Sequence, residues 1–404
     1  MSDTYRFSYI ETEHDLEQYA TLLHLAFPGE AVDVLGKRLY YNHPDMTPRN
    51  FFAIWDADTM VATLNLIPQT WSLGGIPLRV AEMGLVGTHP EYRNRGLQRI
   101  LNREFDRRIR EDEYHLAGLE GIPYFYRQFG YEYSVPLDEW ATIPLDKLPA
   151  TEMSGISPLS PEEIPRAMSL LEATQRKHLV HCIRSQEEWE TQEKSGIVGE
   201  HPSKTYAVRQ GGKITAYLRA NVKDKVVLLH EITETNLATT KMIATFLRRL
   251  GEENGASELV SRESYAEPFD DYLFSLSASK RHHYGWQMKV VDPQKVFKKI
   301  TPLFEERIKN SPLIGYSGIV PLNLYKVTVT LNFQNGAVTD VKQSKSEQKG
   351  DILVNPRIFP KMLLGYRSLA ELEYEYPDVR IKPEYRPVIE TLFPKGSGHI
   401  HTTY

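Results

Sequence analysis

The chain has 404 residues, a formal net charge of −5 and 25% charged residues. This length exceeds one ordinary hydrophobic core, so we expect two or three domains. The slightly acidic balance argues against nucleic-acid binding, which needs a clustered basic face. We expect no membrane segment and no leader peptide, because the sequence lacks a long apolar run. The single cysteine, Cys182, excludes an intramolecular disulfide, and cytoplasm is the expected location.

The first part of the chain alternates strands and helices in a way that suits a mixed sheet. Residues 5–10 are predicted as a strand, and Thr12 begins a helix. Residues 51–55 and 60–67 are predicted as a strand pair. Gly74 and Gly75 mark a second hairpin, which leads into a strand ending at Pro90.

The most informative stretch is residues 83–98, which predicts a buried strand, a turn and the start of an amphipathic helix. The helix follows from the spacing of Leu97, Leu101 and Phe105. Gly96 lies where the first backbone N–H groups of that helix are free, and such an end attracts anions. The stretch therefore predicts a phosphate site, although a basic loop before a helix is also typical of a solvated surface.

After this helix we predict a strand at residues 114–119 and a short helix between Pro123 and Gly130. Tyr126 lies in the second element among several aromatic residues. An aromatic cluster of this kind is ordinarily part of a core.

A second unit with a similar order of elements follows the proline-rich link at residues 156–161. It contains predicted strands at 206–209, 214–221 and 226–232, and a helix at 238–250. The turn at residues 234–237 has no arginine and no glycine, and it begins with a carboxylate that would repel phosphate. We therefore predict a copy of the fold without a cofactor site.

A third unit starts near Pro293. Residues 325–333 alternate apolar and polar side chains, Asn335 and Gly336 predict a hairpin turn, and residues 337–342 return beside the first strand. Helices follow at residues 355–364, from Ser368, and at 387–393. The tail from residue 394 contains two glycines, and its composition predicts a flexible end.

The motifs now point to a family. Residues 89–98 resemble the acetyl-CoA loop of the GCN5-related N-acetyltransferases, Arg/Gln-x-x-Gly-x-Gly/Ala. Arg93 and Gly96 match that pattern, whereas Gln98 occupies the place of the final small residue. This loop, the sequence motif at residues 125–131 and the division into three units together make the chain similar to the Eis-type (enhanced intracellular survival) acetyltransferases.

The resemblance implies an α/β (α+β) architecture in three parts. It consists of an acetyl-CoA-binding N-acetyltransferase domain at 1–150, a degenerate acetyltransferase-like domain at 151–290, and a sterol-carrier-like α/β domain at 291–404. It also implies an acetyl-CoA-dependent acyltransferase that acetylates a primary amine of a small molecule or peptide, such as an aminoglycoside or another polyamine. Family members often form homo-oligomers, including hexamers.

Catalytic and cofactor-binding roles follow from the same resemblance. Tyr126 matches the general acid of the family, and the α-carboxylate of Tyr404 offers the general base. A free α-carboxylate has a pKa of about 3.3–3.7, which burial would raise. The groups assigned to acetyl-CoA are Val86, Gly87, Thr88, Arg93, Asn94, Arg95, Gly96, Leu97, Gln98, Arg99, Gly121 and Ile122.

Alternatives to this interpretation remain open. His399 and His401 alternate as a metal pair would, but no Cys, Asp or Glu lies near them in the sequence, so we predict no metal. Direct transfer in a ternary complex is favoured over an acyl-enzyme, because Cys182 lies far from the loop in sequence. A different class is a lipid- or ligand-binding protein with a vestigial transferase site, which Gln98 favours slightly and Tyr126 disfavours.

Overall fold

The structure is a computed structural model that describes residues 5–137, 140–151, 154–262, 268–281, 285–346 and 350–404. Residues 1–4, on which the prediction of no leader partly rests, lie outside this set. No helix among the described residues combines the length and the apolar character needed to cross a membrane.

The first part of the chain forms the elements predicted for it, together with a helix, α2, and a strand, β6, that were not predicted. Thr12 caps the first helix in a capping box with Asp15, as the polar residue before its apolar face predicted. In chain order the elements are β1 (Tyr5–Tyr9), α1 (Glu13–Ala26), α2 (Val32–Asn42), β2 (Phe51–Asp56), β3 (Thr59–Leu73), β4 (Ile76–Thr88), α3 (Leu97–Glu111), β5 (Leu116–Leu119) and β6 (Glu132–Pro136).

The second part contains the predicted strand–strand–strand–helix order at β12 to α6. Its elements are β7 (Trp140–Pro144), β8 (Ile156–Pro158), α4 (Ile164–Gln175), β9 (Val180–Ile183), α5 (Gln186–Ser195), β10 (Ile197–Val198), β11 (His201–Pro202), β12 (Lys204–Gln210), β13 (Lys213–Lys223), β14 (Val226–Ile232), α6 (Leu237–Glu253), β15 (Glu258–Ser261), α7 (Pro268–Ser275), β16 (Ser279–Arg281) and β17 (Gly285–Val290).

The third part confirms the predicted hairpin, because β19 and β20 pair around Asn335 and Gly336. Alternate residues of β19 are buried, as the sequence pattern indicated. The elements are α8 (Pro293–Lys299), α9 (Thr301–Lys309), β18 (Gly318–Asn323), β19 (Val327–Gln334), β20 (Ala337–Lys345), β21 (Ile352–Leu353), α10 (Phe359–Leu363), α11 (Leu369–Glu375), β22 (Arg380–Ile381), α12 (Arg386–Leu392) and β23 (Gly398–His399).

The strands form three main sheets and one short hairpin within the described residues. The first sheet has the order β1-β2-β3-β4-β5-β17-β6, with β9 beside β3 and β23 beside β9. The second sheet is β16-β7-β15-β14-β13-β12-β8, and the third is β20-β19-β18-β21-β22. Strands β10 and β11 form the hairpin. The architecture is therefore mixed α/β, with two GCN5-like folds in tandem.

The first two sheets exchange strands along the chain. Strand β7 precedes the boundary predicted at residue 150, yet it pairs with β15 and β16 in the second sheet. Strand β17 precedes the boundary predicted at residue 290, yet it lies between β5 and β6 in the first sheet. The two units are thus joined by interleaved strands as well as by a linker.

Helix α3 packs against one face of the first sheet. Leu97, Leu101, Phe105 and Ile109 of α3 are buried in one apolar cluster with residues of β2, β3, β4 and β5. Strand β3 is buried along most of its length, and its buried residues include the polar side chains of Thr63, Asn65 and Gln69.

The C-terminal tail is ordered, so the prediction of a flexible end was wrong. Gly398 and His399 pair in parallel with Val180 and His181 of β9, and β9 pairs with β3 of the first sheet. His399, His401 and Thr403 are buried. The composition of the tail gave no sign of this, because its order comes from a pairing that is distant in sequence.

Side chains of the second unit hold the tail in place. Arg184 donates from Nη2 to the carbonyl oxygen of Thr402 at 2.9 Å, and Gln192 donates to the same oxygen at 3.2 Å. Arg184 also forms a buried ion pair with Glu231 at 2.7 Å, and this pairing together with Arg219 keeps the pKa of Glu231 well below its usual value despite burial. The tail therefore rests on a fixed, charged support.

Histidines gather where the tail meets the second unit. Burial lowers the pKa of His201 to about 4 and of His230 to about 3, and it holds the pKa of His399 well below its usual value. The Nε2 atoms of His399 and His401 are 3.2 Å apart. Neutral imidazoles fit this packing, whereas protonated ones would repel each other and the nearby arginines.

Acidification is expected to destabilise the protein through these histidines. In the unfolded chain each has a pKa of about 6.5, so the unfolded state takes up protons first as the pH falls. The stabilising contribution of the neutral histidines is complete above about pH 6.5 and decreases as the pH falls below this value. Urea unfolding should show a lower free energy of unfolding at pH 5.5 than at pH 7.5.

The variant His399→Gln should lose less stability between these pH values than the wild type, because it lacks one of the groups that titrates. The control is His14→Gln at an exposed position of α1. An identical pH dependence in both variants would contradict the assignment.

Candidate active site

Strand β4 contains a bulge next to the candidate cofactor loop. The β3–β4 register shifts between Thr63 and Asn65, and Leu85 has a φ of 48°. His89 beyond the bulge donates its N–H to Val61 of β3 at 2.9 Å. Because main-chain directions alternate along a strand, the N–H of Thr88 faces away from β3. The end of β4 thus offers main-chain groups to a ligand.

The N-terminus of α3 is open, as the sequence predicted. Gly96 is its N-cap residue at a φ of 79°, and no side chain caps this end. A Cβ at Gly96 would meet no atom within 4 Å, so its left-handed backbone, and not crowding, calls for glycine. The first amides of the helix precede any intrahelical acceptor and remain available to an anion.

The arginines around this end have different partners. Arg95 stacks over the ring of Tyr92 at 4.5 Å and donates to the carbonyl oxygen of Glu91 at 3.0 Å. Arg99 donates to the side chain of Gln128 at 3.2 Å and so links α3 to the segment that carries Tyr126. Arg93 is exposed and lines the cleft beside the helix end. Arg93 can therefore bind an anion without losing a contact to the protein of the kind that Arg95 and Arg99 make.

Gln98 departs from the family pattern without blocking the helix end. Its Nε2 donates to the carbonyl oxygen of Gly87 at 2.8 Å and to the hydroxyl of Thr88 at 3.0 Å. The side chain thus turns back to tie α3 to the end of β4. The main-chain amide of Gln98 is not used in this contact.

Tyr126 lies in a 3-10 helix, Phe125–Phe129, at the position where a short helix was predicted. Its side chain is buried, with the ring at 5.1 Å from the ring of Phe125 and at 6.4 Å from that of Tyr131. A Cβ at Gly121 would approach the Tyr126 ring to 2.4 Å. Gly121 therefore makes room for this ring.

One cleft of about 690 Å³ brings the predicted loop and Tyr126 together. The residues that line it are Ala26, Phe27, Val86, Thr88, Tyr92, Arg93, Asn94, Arg95, Gly96, Leu97, Gln98, Arg99, Ile122, Phe125, Tyr126, Gln128 and Phe129. Gly87 and Gly121 do not line it, and their assignment to the cofactor stays a prediction. The other residues assigned to acetyl-CoA surround a single space.

Tyr404 lies apart from the residues that line this cleft. Its main-chain oxygen accepts a hydrogen bond from the N–H of Gly199 in the β10–β11 hairpin at 2.6 Å. Its phenol donates to Oε1 of Glu82 at 3.0 Å. Burial and the charges of Glu82 and Glu120 raise the pKa of this phenol well above its usual value. Since Glu120 precedes Gly121, the phenol lies near the segment that carries Tyr126.

Sequence reasoning missed Glu82, which is only 4% exposed at the middle of β4. Burial raises its pKa to about 7. The signal was present, because Glu82 is a lone carboxylate between Ala81 and Met83 in a strand whose neighbours are largely apolar.

The second unit differs at the corresponding helix end. Asn236 caps α6 by accepting a hydrogen bond from the N–H of Thr239 at 3.0 Å. The side chain of Asn236 thus binds an amide of α6, whereas no side chain binds the corresponding end of α3. The N-terminus of α6 therefore offers fewer free amides to an anion than the N-terminus of α3.

Cys182 and the tail histidines offer no rival centre within the described residues. Cys182 is fully buried in β9 and accepts a contact from Gln175 at 3.4 Å. No group of three or more His, Cys, Asp or Glu side chains in the described part of the chain is arranged to hold a metal ion.

Comparison with known proteins agrees with this geometry. Residues 10–134 match the model of the acetyltransferase (GNAT) domain family. No curated protein matches the chain by sequence. A protein of unknown function from Enterococcus faecalis, described as a probable N-acyltransferase, is similar in structure, with a TM-score of 0.75 and 16% identity over 99% of this chain and 100% of that one.

Two further structures extend the similarity. Eis1 from Mycobacterium abscessus has a TM-score of 0.62 and 14% identity over 97% of this chain and 98% of its own. The N-myristoyltransferase of Saccharomyces cerevisiae with bound myristoyl-CoA has a TM-score of 0.52 and 15% identity over 71% of this chain and 83% of its own. At these identities the similarity concerns the fold. Residues 10–134 therefore carry an acetyltransferase domain of the GNAT class.

Proposed function

We propose that the protein is an Eis-type N-acetyltransferase that moves an acetyl group from acetyl-CoA to a primary amine. The observation that carries this proposal is the shared cleft, in which the open N-terminus of α3 and the phenol-bearing segment at Tyr126 face one space. A binding protein would not need a buried phenol at that place. The main departure, Gln98, leaves its main-chain amide unused by its side-chain contacts.

The cleft offers acetyl-CoA two kinds of contact. The amides of residues 94–98 and the guanidinium of Arg93 would hold the pyrophosphate at the helix end. The pantetheine arm would lie along Val86 and Thr88 as an added strand, since the N–H of Thr88 faces away from β3. This arrangement directs the thioester away from α3 and toward the opening between β4 and β5.

The reaction needs an acid and a base. The amine nitrogen attacks the thioester carbon and loses a proton, and the C–S bond then breaks to release a thiolate. Tyr126 donates its phenolic proton to that thiolate, and the α-carboxylate of Tyr404 accepts the proton of the amine. Transfer is direct, in a ternary complex, because Cys182 is buried away from the cleft. No step requires a metal.

The remaining features of the proposal follow the family resemblance. Residues 1–150, 151–290 and 291–404 form the active domain, the degenerate domain and a sterol-carrier-like domain. The protein forms a homo-oligomer, with a hexamer as the family precedent, and works in the cytoplasm. Its acceptors are small-molecule or peptide amines, including aminoglycoside-like polyamines.

A thiol-release screen tests the proposed function. Purified full-length protein is incubated with acetyl-CoA and, separately, aminoglycosides, polyamines and lysine peptides. Amine-dependent release of CoA thiol and a mass increase of one acetyl group on the amine are expected. Absence of turnover with all of these amines, together with binding of a lipid, would instead favour the binding-protein alternative.

Tyr126→Phe should lower kcat by about 100-fold or more, since proton transfer by a placed side chain contributes about 10²–10⁴ in rate. The dissociation constant of acetyl-CoA should change little, because the phenol contacts the reacting end only. Tyr131→Phe, in the same aromatic cluster, is the matched control and should retain activity. Equal kcat in wild type and Tyr126→Phe would remove Tyr126 from the mechanism.

Gly96→Ala should weaken acetyl-CoA binding by distorting the helix end. An alanine at a φ of 79° costs about 1–2 kcal/mol in backbone strain. Gly255→Ala is a matched control, because Gly255 has a φ of 70° and equally open surroundings in the second unit. Both variants should lose similar stability in urea unfolding, but calorimetry should show weaker acetyl-CoA binding for Gly96→Ala alone. Equal affinities in the two variants would contradict the assignment of the loop.

A further inference from the structure

The opening in the first sheet begins at Glu82. Strands β4 and β5 pair in parallel at Val80 with Leu116, Ala81 with Ala117, and Glu82 with Gly118. Strand β4 continues to Thr88 without further pairing to β5. The Glu82–Gly118 pair is therefore the last before the two strands diverge. A group at this point lies at the inner end of the opening.

Glu82 is held there by two donors. Gln69 donates from Nε2 to Oε2, and the phenol of Tyr404 donates to Oε1 at 3.0 Å. Gln69 itself accepts a hydrogen bond from the indole N–H of Trp71 at 2.6 Å. Glu82, Gln69 and Trp71 are all buried. A chain of hydrogen bonds thus runs from a core tryptophan to the side chain of Tyr404.

A carboxylate suits this position better than its isosteres. Its two oxygens can each accept from a separate donor, whereas a glutamine at the same place would direct an NH₂ group at one of them. A buried carboxyl without partners would be costly. A glutamate at position 82 is explained by the need to accept hydrogen bonds from both Gln69 and the phenol of Tyr404.

Tyr404 is thereby fixed at both ends. The phenol binds the first sheet through Glu82, and the main-chain oxygen binds the N–H of Gly199 in the second unit. The ring packs beside the apolar cluster of α1 and α2, which includes Leu23 and Leu39. The oxygen that accepts from Gly199 belongs to the α-carboxylate itself, and the phenol contact fixes the ring to which this carboxylate is attached.

We propose that Glu82 is a positioning residue that, through the phenol of Tyr404 at the opening between β4 and β5, holds the α-carboxylate of Tyr404 in place. This inference rests on the proposed function, in which that carboxylate accepts the proton of the amine. Glu82 acts through Tyr404 and need not touch the substrate. The phenol of Tyr404 acts as an anchor and takes no part in proton transfer.

Glu82→Gln and Tyr404→Phe test the link, alone and combined. Tyr404→Phe keeps the α-carboxylate and removes the phenol only. Each single variant should lower kcat about ten-fold, in line with the loss of one hydrogen bond to a charged group. The KM for acetyl-CoA should stay within about two-fold, because the loop at Gly96 is untouched. The double variant should be no slower than the slower single variant.

Tyr19→Phe is the matched control. The phenol of Tyr19 is also buried, and it donates to Asn65 at 2.8 Å and not to Glu82. This variant loses a comparable hydrogen bond and should retain kcat. A two-fold change or less in both Glu82→Gln and Tyr404→Phe would overturn the proposal. A loss of kcat in the double variant that equals the product of the two single losses, about 100-fold, would overturn the proposal as well.

Hydrogen exchange of the Gly199 amide provides a second readout that does not depend on activity. Because this N–H donates to Tyr404, its exchange should become faster in Glu82→Gln and stay slow in Tyr19→Phe. Unchanged exchange in Glu82→Gln would overturn the link between Glu82 and Tyr404.

One further arm separates this proposal from the proposed function. Adding a single glycine after Tyr404 removes its free α-carboxylate and should abolish turnover. Full activity of the extended protein would refute the carboxylate as base and, with it, any effect of Glu82 on the reaction through that carboxylate. Faster Gly199 exchange in Glu82→Gln would still support the physical link in that case.

Discussion

The pairing of β23 with β9 is the constraint on which the candidate active site depends. It places Gly398 beside Val180, and β9 in turn pairs with β3 of the first sheet. A tail of small and polar residues thus becomes part of the sheet that carries the cofactor cleft. Without this pairing, Tyr404 would have no fixed position relative to Glu82.

The pairing is reinforced by hydrogen bonds and an ion pair of the second unit. Arg184 and Gln192 bind the carbonyl of Thr402, and Glu231 balances the charge of Arg184. A buried ion pair is weak evidence of net stability, but breaking one partner leaves an uncompensated charge. The second unit, whose helix α6 is capped by Asn236, thus has a structural use as the support for the tail.

Local patterns in the sequence predicted most of the elements near the cleft. The apolar spacing of Leu97, Leu101 and Phe105 indicated α3, and Gly96 marked its open end, since both signals depend on neighbouring residues. The 3-10 helix at Tyr126 was also visible from Pro123 and Gly130. The fold class followed from the resemblance at residues 89–98, and the structure confirms it.

Long-range partners could not be predicted in the same way. The order of the tail, the position of β17 in the first sheet and the contact between Glu82 and Tyr404 all join residues far apart in the chain. Such pairings leave no periodicity within one segment. Glu82 alone gave a local hint, because a single carboxylate in an apolar strand needs a partner that the strand itself does not contain.

The exchange of β7 and β17 also bears on how the chain folds. During synthesis β6 is made early, but β17, the strand that joins β6 to β5, is made only after the second unit has emerged. Until then, the edges of β5 and β6 have no partner, and exposed edges of this kind invite pairing with other chains. High contact order slows folding. The interleaved strands therefore leave the newly made N-terminal unit with unpaired strand edges until β17 has been synthesised.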